Sequence, residues 1–404
     1  MVFAFSTLIH VLANGWLRDR EGPDTYIEAT HLALSLATGE GFQNPFALEK
    51  TGPTAHVAPG YPFLYAGVLR VFGTGPIAAW AVRLLTIGAN ALMWSLMVVF
   101  ARVWKLPDRV GLIAAGVGGA LPIPGSCFKW ESVLAGLVLV GCACFAARCL
   151  SNPRSSRPWI ESGLLWGVGF LITPVFLSTW LGWLLLTVYF VKKPRGPIAF
   201  LAILPLAVIA PWIARNDQVF HTFVLIRDNL GIELASSNSD CATAWAKRNA
   251  RSGCLALTHP SVNPDLLHRL RQAGEISFNA EQMKRALAWI ETNPARFAEL
   301  SAQRLLWFWL PPADREEGTF AALNALLVGA LTLLSLPGLW MLCRKHPRCG
   351  LFCASVLLLY PLVYYFLQLD LRYRYPILWI TVLGVAWGIS DLIERRSHNT
   401  NAIF

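Results

Sequence analysis

Long apolar runs alternate with short polar links from one end of the chain to the other. The runs of bilayer-spanning length are residues 2–17, 76–101, 110–124, 131–147, 159–172, 174–191, 197–213, 319–342, 351–368 and 375–392. Backbone inside hydrocarbon must satisfy its own hydrogen bonds, so such runs form helices unless they alternate like barrel strands, which these do not. The pattern predicts an all-α polytopic membrane protein with about ten transmembrane helices.

A polar first loop, residues 18–60, follows the first apolar run and carries 3 basic and 6 acidic residues. Within it, Ala29, Leu32, Ala33 and Leu36 recur at helical spacing and Gly39 can end a helix. This periodicity predicts a short amphipathic helix over residues 25–38, lying along the membrane interface. Residues 63–72, beyond the loop, are apolar but too short to span a bilayer.

The second polar stretch, residues 214–318, is named the outer segment below. It is mixed in composition and has a helical pattern over residues 280–309, interrupted at Asn293-Pro294. Three parts follow: an N-terminal transmembrane module (residues 1–213), a small α-rich extracytoplasmic domain (214–318), and C-terminal transmembrane helices with a basic tail (319–404).

Composition and charge support this topology. Hydrophobic residues make up 55% of the 404 residues, charged residues 14%, and the mean hydropathy is +0.48. The net charge of +10 arises outside the outer segment, which has 12 basic and 12 acidic residues. The excess falls on alternate short links, as the positive-inside rule predicts for cytoplasmic loops. We therefore expect a multi-pass protein of the plasma (inner) membrane, with both termini cytoplasmic and no nucleic-acid partner.

Two other readings stay open at this stage. Residues 2–17 could be a signal peptide instead of a span, although no basic residue precedes them. Cys241 and Cys254 share the outer segment and could pair in an oxidising compartment, but sequence separation does not reveal their distance.

The chain has no P-loop, no dinucleotide-binding glycine pattern, no Gly-x-Ser-x-Gly, no His-Glu-x-x-His and no Asp-x-Asp.

Two carboxylates on the predicted outer face are the candidate acids. Asp24 follows Gly-Pro in the first loop, and Glu131 begins a span after Trp130. Each has a structural alternative, since Asp24 could cap a helix and Glu131 could interact with a helix macrodipole or with Lys129. If both face one cleft, they suit a general base with an orienting or cation-binding partner.

Arginines on the same face are the candidate anion ligands. They are Arg215, Arg227, Arg372 and Arg374, and Arg215 and Arg374, each beside a span end, are favoured. The planar guanidinium suits a phosphate or pyrophosphate at a membrane surface, and headgroup contact or snorkelling is the structural alternative.

An ordered set of short motifs resembles a known family. The set is Asp24-x-Tyr26, a following Gly-x-Gly-Phe, Pro59-Gly60-Tyr61-Pro62, Trp130-Glu131, Pro211-Trp-Ile-Ala-Arg215-Asn216 and Tyr373-Arg374-Tyr375-Pro376. In this order they resemble the bacterial dolichyl-phosphate-mannose protein mannosyltransferase-like family, a family-39-like branch of the GT-C superfamily. The similarity covers nearly the whole chain.

The resemblance implies a hexosyl or pentosyl glycosyltransferase. Such an enzyme transfers a sugar, with inversion, from a polyprenyl-phosphate donor in the membrane to a hydroxyl of a protein, lipid or glycan on the extracytoplasmic face. Carried over by position, Asp24 would be the general base and Glu131 a second acid. The donor phosphate would be bound by Arg215, Arg227, Arg374, Tyr373 and His56, and the first loop would be shaped by Tyr26, Pro59, Gly60, Tyr61 and Pro62.

No metal site is assigned, although Asp24 and Glu131 could hold a divalent cation such as Mg or Mn.

The alternative function is a transporter or flippase for a lipid-linked glycan. Transporters place polar groups near the bilayer midplane and are often built from internal repeats. The polar residues here gather at the outer boundary and no repeat is detectable, which favours the enzyme.

Overall fold

The computed structural model describes residues 1–16, 27–192 and 196–401, and these residues form helices without strands. The helices are α1 (Val2–Trp16), α2 (Glu28–Ala37), α3 (Gly60–Phe72), α4 (Pro76–Val103), α5 (Asp108–Ala120), α6 (Ser132–Ser151), α7 (Ser156–Ile172), α8 (Phe176–Phe190), α9 (Ile198–Phe220), α10 (Leu230–Ser237), α11 (Ala246–Arg251), α12 (Cys254–Thr258), α13 (Pro264–Ala273), α14 (Glu275–Thr292), α15 (Pro294–Trp309), α16 (Thr319–Lys345), α17 (Pro347–Leu359) and α18 (Leu378–Asn401). The predicted all-helical fold is confirmed.

Each of the ten apolar runs contains a helix, but the number of spans is smaller by a strict criterion. Six helical stretches in the described residues are long and apolar enough to cross a bilayer: Pro76–Val103, Ser132–Ser151, Ile198–Phe220, Thr319–Lys345, Pro347–Tyr365 and Leu371–Arg395. The apolar helices Val2–Leu12 and Phe176–Phe190 are shorter. A multi-pass architecture is confirmed, and the count of ten is not.

Proline explains two of the short helices. α5 ends at Ala120, immediately before Leu121-Pro122, and α7 ends at Ile172, before Thr173-Pro174. The residue before a proline disfavours the helical conformation, and the backbone is accordingly extended at both Leu121 and Thr173. Each turn leaves the next element, the 3-10 turn Gly125–Phe128 or the start of α8, free to change direction.

The first loop and the outer segment fold against each other. α2 begins at Glu28 and ends at Ala37, within the predicted helix over residues 25–38. Phe46 of the loop is buried in a small core with Ile232, Leu266, Leu267, Leu270 and Phe278 of the outer segment. The loop is therefore part of the same folded unit as helices α10 to α14.

The outer segment has the predicted helix break and a disulfide. α14 ends at Thr292 and α15 begins at Pro294, so the interruption at Asn293-Pro294 is confirmed. Cys241 and Cys254 form a disulfide, with their Cα atoms 5.5 Å apart. The sequence left open whether these two cysteines pair, and in the structure they do.

Buried hydrogen bonds attach the outer segment to the chain before α18. Leu369 N–H donates to Ala244 O and Ala246 N–H donates to Leu369 O, each at 2.8 Å. The guanidinium of Arg304 is fully buried and donates to Asn238 Oδ1 and Phe366 O, both at 3.0 Å. These contacts hold residues 360–373 beside the outer segment.

Candidate active site

A cavity of about 660 Å³ lies where the first loop, the membrane helices and the outer segment meet. One side, here called the membrane wall, comes from Trp130, Glu131 and some of the residues within the ranges 173–178 and 360–373. The other side, the loop wall, comes from the first loop and the outer segment and includes Glu28, His56, Arg227, Asn229, Glu233 and His259. Acidic, basic and imidazole groups thus face one space.

Three residues of the loop wall form a cluster that could hold a metal ion. One ligand atom each of Glu28, His56 and His259 lies within 4.8 Å of the others, and all three side chains are buried. Burial raises the pKa of Glu28, partly offset by His259. Burial, and then the neighbouring His259 and Arg227, hold the pKa of His56 well below its usual range.

The two histidines differ in their hydrogen bonding. Nδ1 of His259 lies 2.6 Å from the hydroxyl of Ser261, which orients that ring. Nδ1 of His56 is buried and has no hydrogen-bond partner among the residues that the structure describes. A buried polar atom left unpaired is costly, and a neutral imidazole is the form that ligates metals. The residues present therefore fit a divalent cation.

Arg372 dominates the membrane wall. Its guanidinium lies 4.0 Å from the ring centroid of Trp130 and 4.8 Å from that of Tyr373, and it donates to the Tyr373 hydroxyl at 2.9 Å. Nε of Arg372 is buried and finds no acceptor within the described parts of the chain. The arginine is held in place by aromatic rings while keeping a donor for an anion.

A capped turn sets the direction of Arg372. Residues Leu371–Tyr373 form a 3-10 turn, and Asp370 Oδ1 accepts the N–H of Arg372 at 2.8 Å and the hydroxyl of Ser126 at 2.7 Å. The ring of Tyr373 stacks on that of Tyr364 with centroids 4.4 Å apart. Residues 372 and 373 are therefore fixed on the cavity side of this turn.

Four of the predicted site residues line the cavity: His56, Glu131, Arg227 and Tyr373. Glu131 stands at the N-cap position of α6, where its side chain makes no capping hydrogen bond in the described structure. Asp24 and Tyr26 lie outside the described residues. The motif Pro59-Gly60-Tyr61-Pro62 begins α3, where Gly60 packs so closely that a Cβ atom would lie 2.8 Å from Leu171 O.

Arg215 and Arg374 are absent from the described cavity lining. Arg215 donates from Nη1 to Thr54 O at 2.7 Å and from Nη2 to Phe42 O at 2.9 Å. Arg374 is buried among helices, where it donates to the hydroxyl of Thr381 and lies 4.4 Å from the ring centroid of Trp309. Both guanidinium groups are directed toward protein atoms outside this cavity.

Sequence reasoning missed Glu28, Glu233 and His259, and it named Arg372 among the basic residues of the outer face but chose Arg374 for the site. Glu28 sits in the first turn of α2 and His259 follows α12, more than 200 residues later, so no local spacing links them. Arg372 belongs to the same motif as Arg374, and only the 3-10 turn determines which of the two faces the cavity. The sequence held one signal for Arg372: Asp370, an acid able to cap a turn, stands two residues before it.

The fold has solved relatives, although no protein-family model and no curated protein matches the sequence. The archaeal oligosaccharyltransferase AglB from Archaeoglobus fulgidus, in complex with an inhibitory peptide and a dolichol-phosphate, superposes with a TM-score of 0.59 at 15% identity. The alignment covers 100% of this chain and 51% of that one. The chain therefore shares its fold with about half of that protein.

Two further structures of the A. fulgidus oligosaccharyltransferase agree with this. The apo form gives a TM-score of 0.58 at 15% identity, covering 100% of this chain and 52% of that chain. A complex with Zn and sulfate gives 0.57 at 14% identity, covering 98% and 49%. The chain spans about half the length of these proteins. The fold implied by the resemblance agrees with these structures, and identity this low establishes the fold alone.

Proposed function

We propose that the chain is a membrane glycosyltransferase that moves a sugar from a polyprenyl-phosphate donor to an acceptor hydroxyl. The observation that carries the proposal is the cavity itself, which brings carboxylates, two arginines and a candidate metal cluster together in a fold shared with part of an oligosaccharyltransferase. AglB, one of the solved proteins with a similar fold, was solved with a dolichol-phosphate, a lipid phosphate of the class proposed here as leaving group.

The leaving phosphate would be bound by Arg372 of the membrane wall and Arg227 of the loop wall, which both line the cavity. As the bond between the anomeric carbon and the phosphate oxygen breaks, negative charge develops on the phosphate. A guanidinium held in place stabilises that charge without reorganisation during the reaction. Arg372 is held between Trp130 and Tyr373, so it is the stronger candidate.

A carboxylate would take the proton of the acceptor hydroxyl as its oxygen attacks the anomeric carbon from the opposite face, which inverts the configuration. Asp24 is the proposed base on the sequence resemblance. Glu131 lines the cavity and is the second candidate. The donor sugar leaves the lipid phosphate as the new bond to the acceptor oxygen forms.

Glu28, His56 and His259 would hold a divalent cation. Bound there, the cation would add positive charge beside the donor phosphate. Two imidazoles and one carboxylate are donors that suit zinc better than magnesium or manganese, which prefer oxygen ligands. We therefore propose zinc at this cluster, in place of the Mg or Mn that Asp24 and Glu131 were considered able to hold.

The apolar part of the membrane wall would receive the lipid chain. It is lined by Pro174, Val175, Leu177, Leu362 and Val363. We place the site on the extracytoplasmic face, because the disulfide Cys241–Cys254 suits an oxidising compartment and the basic links lie on the other side. The protein would then reside in the plasma membrane with both termini cytoplasmic.

The test uses the full chain in lipid nanodiscs with a panel of polyprenyl-phosphate sugars, following release of free polyprenyl phosphate. We expect release by the wild type and a loss of about 10²-fold or more for Asp24→Asn. Treatment with a chelator should lower the rate, and zinc should restore it better than magnesium.

Arg269→Gln serves as the matched control, since Arg269 pairs with Glu281 on the exposed surface, away from the lining residues described above. Glu131→Gln distinguishes the second candidate base. If the wild type releases no lipid phosphate while labelled lipid-linked glycan crosses the bilayer, the transferase is excluded and the transporter or flippase takes its place.

A further inference from the structure

The end of the first loop, Thr54–His56, is bonded by groups from two distant parts of the chain. Arg215 on α9 donates to Thr54 O at 2.7 Å, and Asp228 N–H donates to Ala55 O at 2.8 Å. Glu275, the first residue of α14, bonds the same two loop residues from the other side. These contacts determine where His56 stands.

Glu275 is a buried acid with loop partners. Its carboxyl accepts the hydroxyl of Thr54, and its Oε1 accepts Ala55 N–H at 2.6 Å. The hydroxyl oxygen of Thr54 in turn accepts a hydrogen bond from His56 N–H at 2.9 Å. Burial raises the pKa of Glu275 to about 8. Burying a carboxyl group costs free energy unless the group is hydrogen-bonded, and here the Thr54 hydroxyl and Ala55 N–H supply those hydrogen bonds.

Arg215 completes the arrangement from the membrane side. Its second nitrogen donates to Phe42 O at 2.9 Å, and its guanidinium lies 4.9 Å from the ring centroid of Trp212. The arginine thus joins two separate points of the first loop, residues 42 and 54, to α9. Asn279 ties Asp228 to the N–H of Ile232 at 2.6 and 3.1 Å, so the support continues into the outer segment.

We propose that Glu275 and Arg215 are positioning residues that hold Thr54–Ala55 and so direct the imidazole of His56 into the cavity. The backbone N–H and C=O groups of Thr54 and Ala55 and the Thr54 hydroxyl all have partners, whereas His56 Nδ1 is buried without one among the described residues. The inference rests on the proposed function, in which His56 is a metal ligand.

An exposed contact between the same two regions provides the comparison. Arg271 of α13 pairs with Glu49 of the first loop, and the side chain of Arg271 is exposed while that of Glu49 is partly exposed. Exposed ion pairs contribute little, so this pair should not position the loop. Supporting groups behind metal ligands, by contrast, usually change metal affinity or activity by about 10- to 100-fold when removed.

The experiment measures cobalt(II) binding to the full chain in lipid nanodiscs, by its visible absorption, together with kcat and KM for lipid-phosphate release. We expect Glu275→Leu and Thr54→Val to weaken cobalt binding and lower kcat by about tenfold or more. Glu275→Gln and Thr54→Ser keep the hydrogen bonds and should stay within about threefold. Glu49→Gln, the control, should leave both quantities unchanged.

The outcomes separate this inference from the proposed function. If the wild type binds cobalt and is active, but Glu275→Leu and Thr54→Val match Glu49→Gln, the positioning role is overturned. If the wild type neither binds cobalt nor releases lipid phosphate, the proposed function itself fails. Should Glu275→Leu not fold, the Thr54→Val and Thr54→Ser pair decides, because an equal loss in both would also overturn the inference.

Discussion

The two walls of the cavity are stabilised by different interactions. On the membrane wall, Arg372 lies against the rings of Trp130 and Tyr373, and Tyr373 stacks on Tyr364. On the loop wall, Thr54 and Ala55 are held by buried hydrogen bonds from Arg215 and Glu275. Ring contacts do not titrate, but buried carboxyls do. Burial raises the pKa of Glu275, so the loop wall should respond to pH through this group, whereas the ring contacts beside Arg372 should not.

The largest expected effect comes from the membrane wall. Arg372→Leu removes the positioned charge from the proposed phosphate site and should lower kcat by about 10²- to 10³-fold. Arg372→Lys keeps the charge but not the planar fork, and should recover only part of the rate. The measurement is release of polyprenyl phosphate in nanodiscs. Rates equal to that of Arg269→Gln would remove Arg372 from the mechanism.

Loss of the disulfide should be the next largest effect, and it acts on the loop wall. Cys241 and Cys254 close a loop with a sequence separation of 13 residues and join the start of α12, which precedes His259. Replacing both by serine should destabilise the outer segment by about 3 kcal/mol. Hydrogen exchange of α12 measures this. Cys343→Ser, at the far end of α16, is the control and should show no change in α12.

The pH dependence of stability tests the loop wall more gently. Burial raises the pKa of Glu275 from 4.5 to about 8, so the folded chain retains a proton that the unfolded chain releases between these values. The free energy of unfolding should therefore fall as pH rises through this range, by up to about 1.4 kcal/mol per pH unit. Glu275→Gln should remove that slope in melting experiments from pH 6.5 to 8. An unchanged slope would assign it to other groups.

The smallest expected effect is again on the membrane wall. Trp130→Leu removes one of the two rings beside Arg372 and should cost about 1 kcal/mol, seen as a roughly fivefold rise in KM for the donor. Trp80→Leu removes a similar contact, with Arg83 at 5.7 Å from the ring centroid, in a helix outside the described cavity lining. Equal kinetics for the two variants would contradict a special role for Trp130.

Much of the fold could be predicted because hydrophobic length is a local property. Helices occur at all ten apolar runs, and the break at Asn293-Pro294 follows from proline chemistry. The span count was less certain, since Pro122 and Pro174 end α5 and α7 early and leave them short. Helix existence is recorded in the sequence, whereas bilayer crossing also depends on length and packing.

The candidate site was predicted only in part. Of the lining residues, Glu131 and Arg227 could be named as charged residues on the predicted outer face, whereas His56 and Tyr373 came only from the family resemblance. The partners of His56 in the cluster, Glu28 and His259, come from a helix and a loop far apart in sequence. Their proximity depends on how the outer segment packs on the first loop, which no local pattern records.

The sequence by itself determined that this is a polytopic helical membrane protein with polar chemistry at one boundary, because a bilayer demands long apolar helices wherever the chain crosses it. Only the tertiary structure decided which polar groups face the cavity. Arg372 and Arg374 are two residues apart and chemically identical, yet a capped 3-10 turn directs the first to the cavity and the second into the helices. Side-chain direction results from packing between distant segments, and that packing is a property of the whole fold.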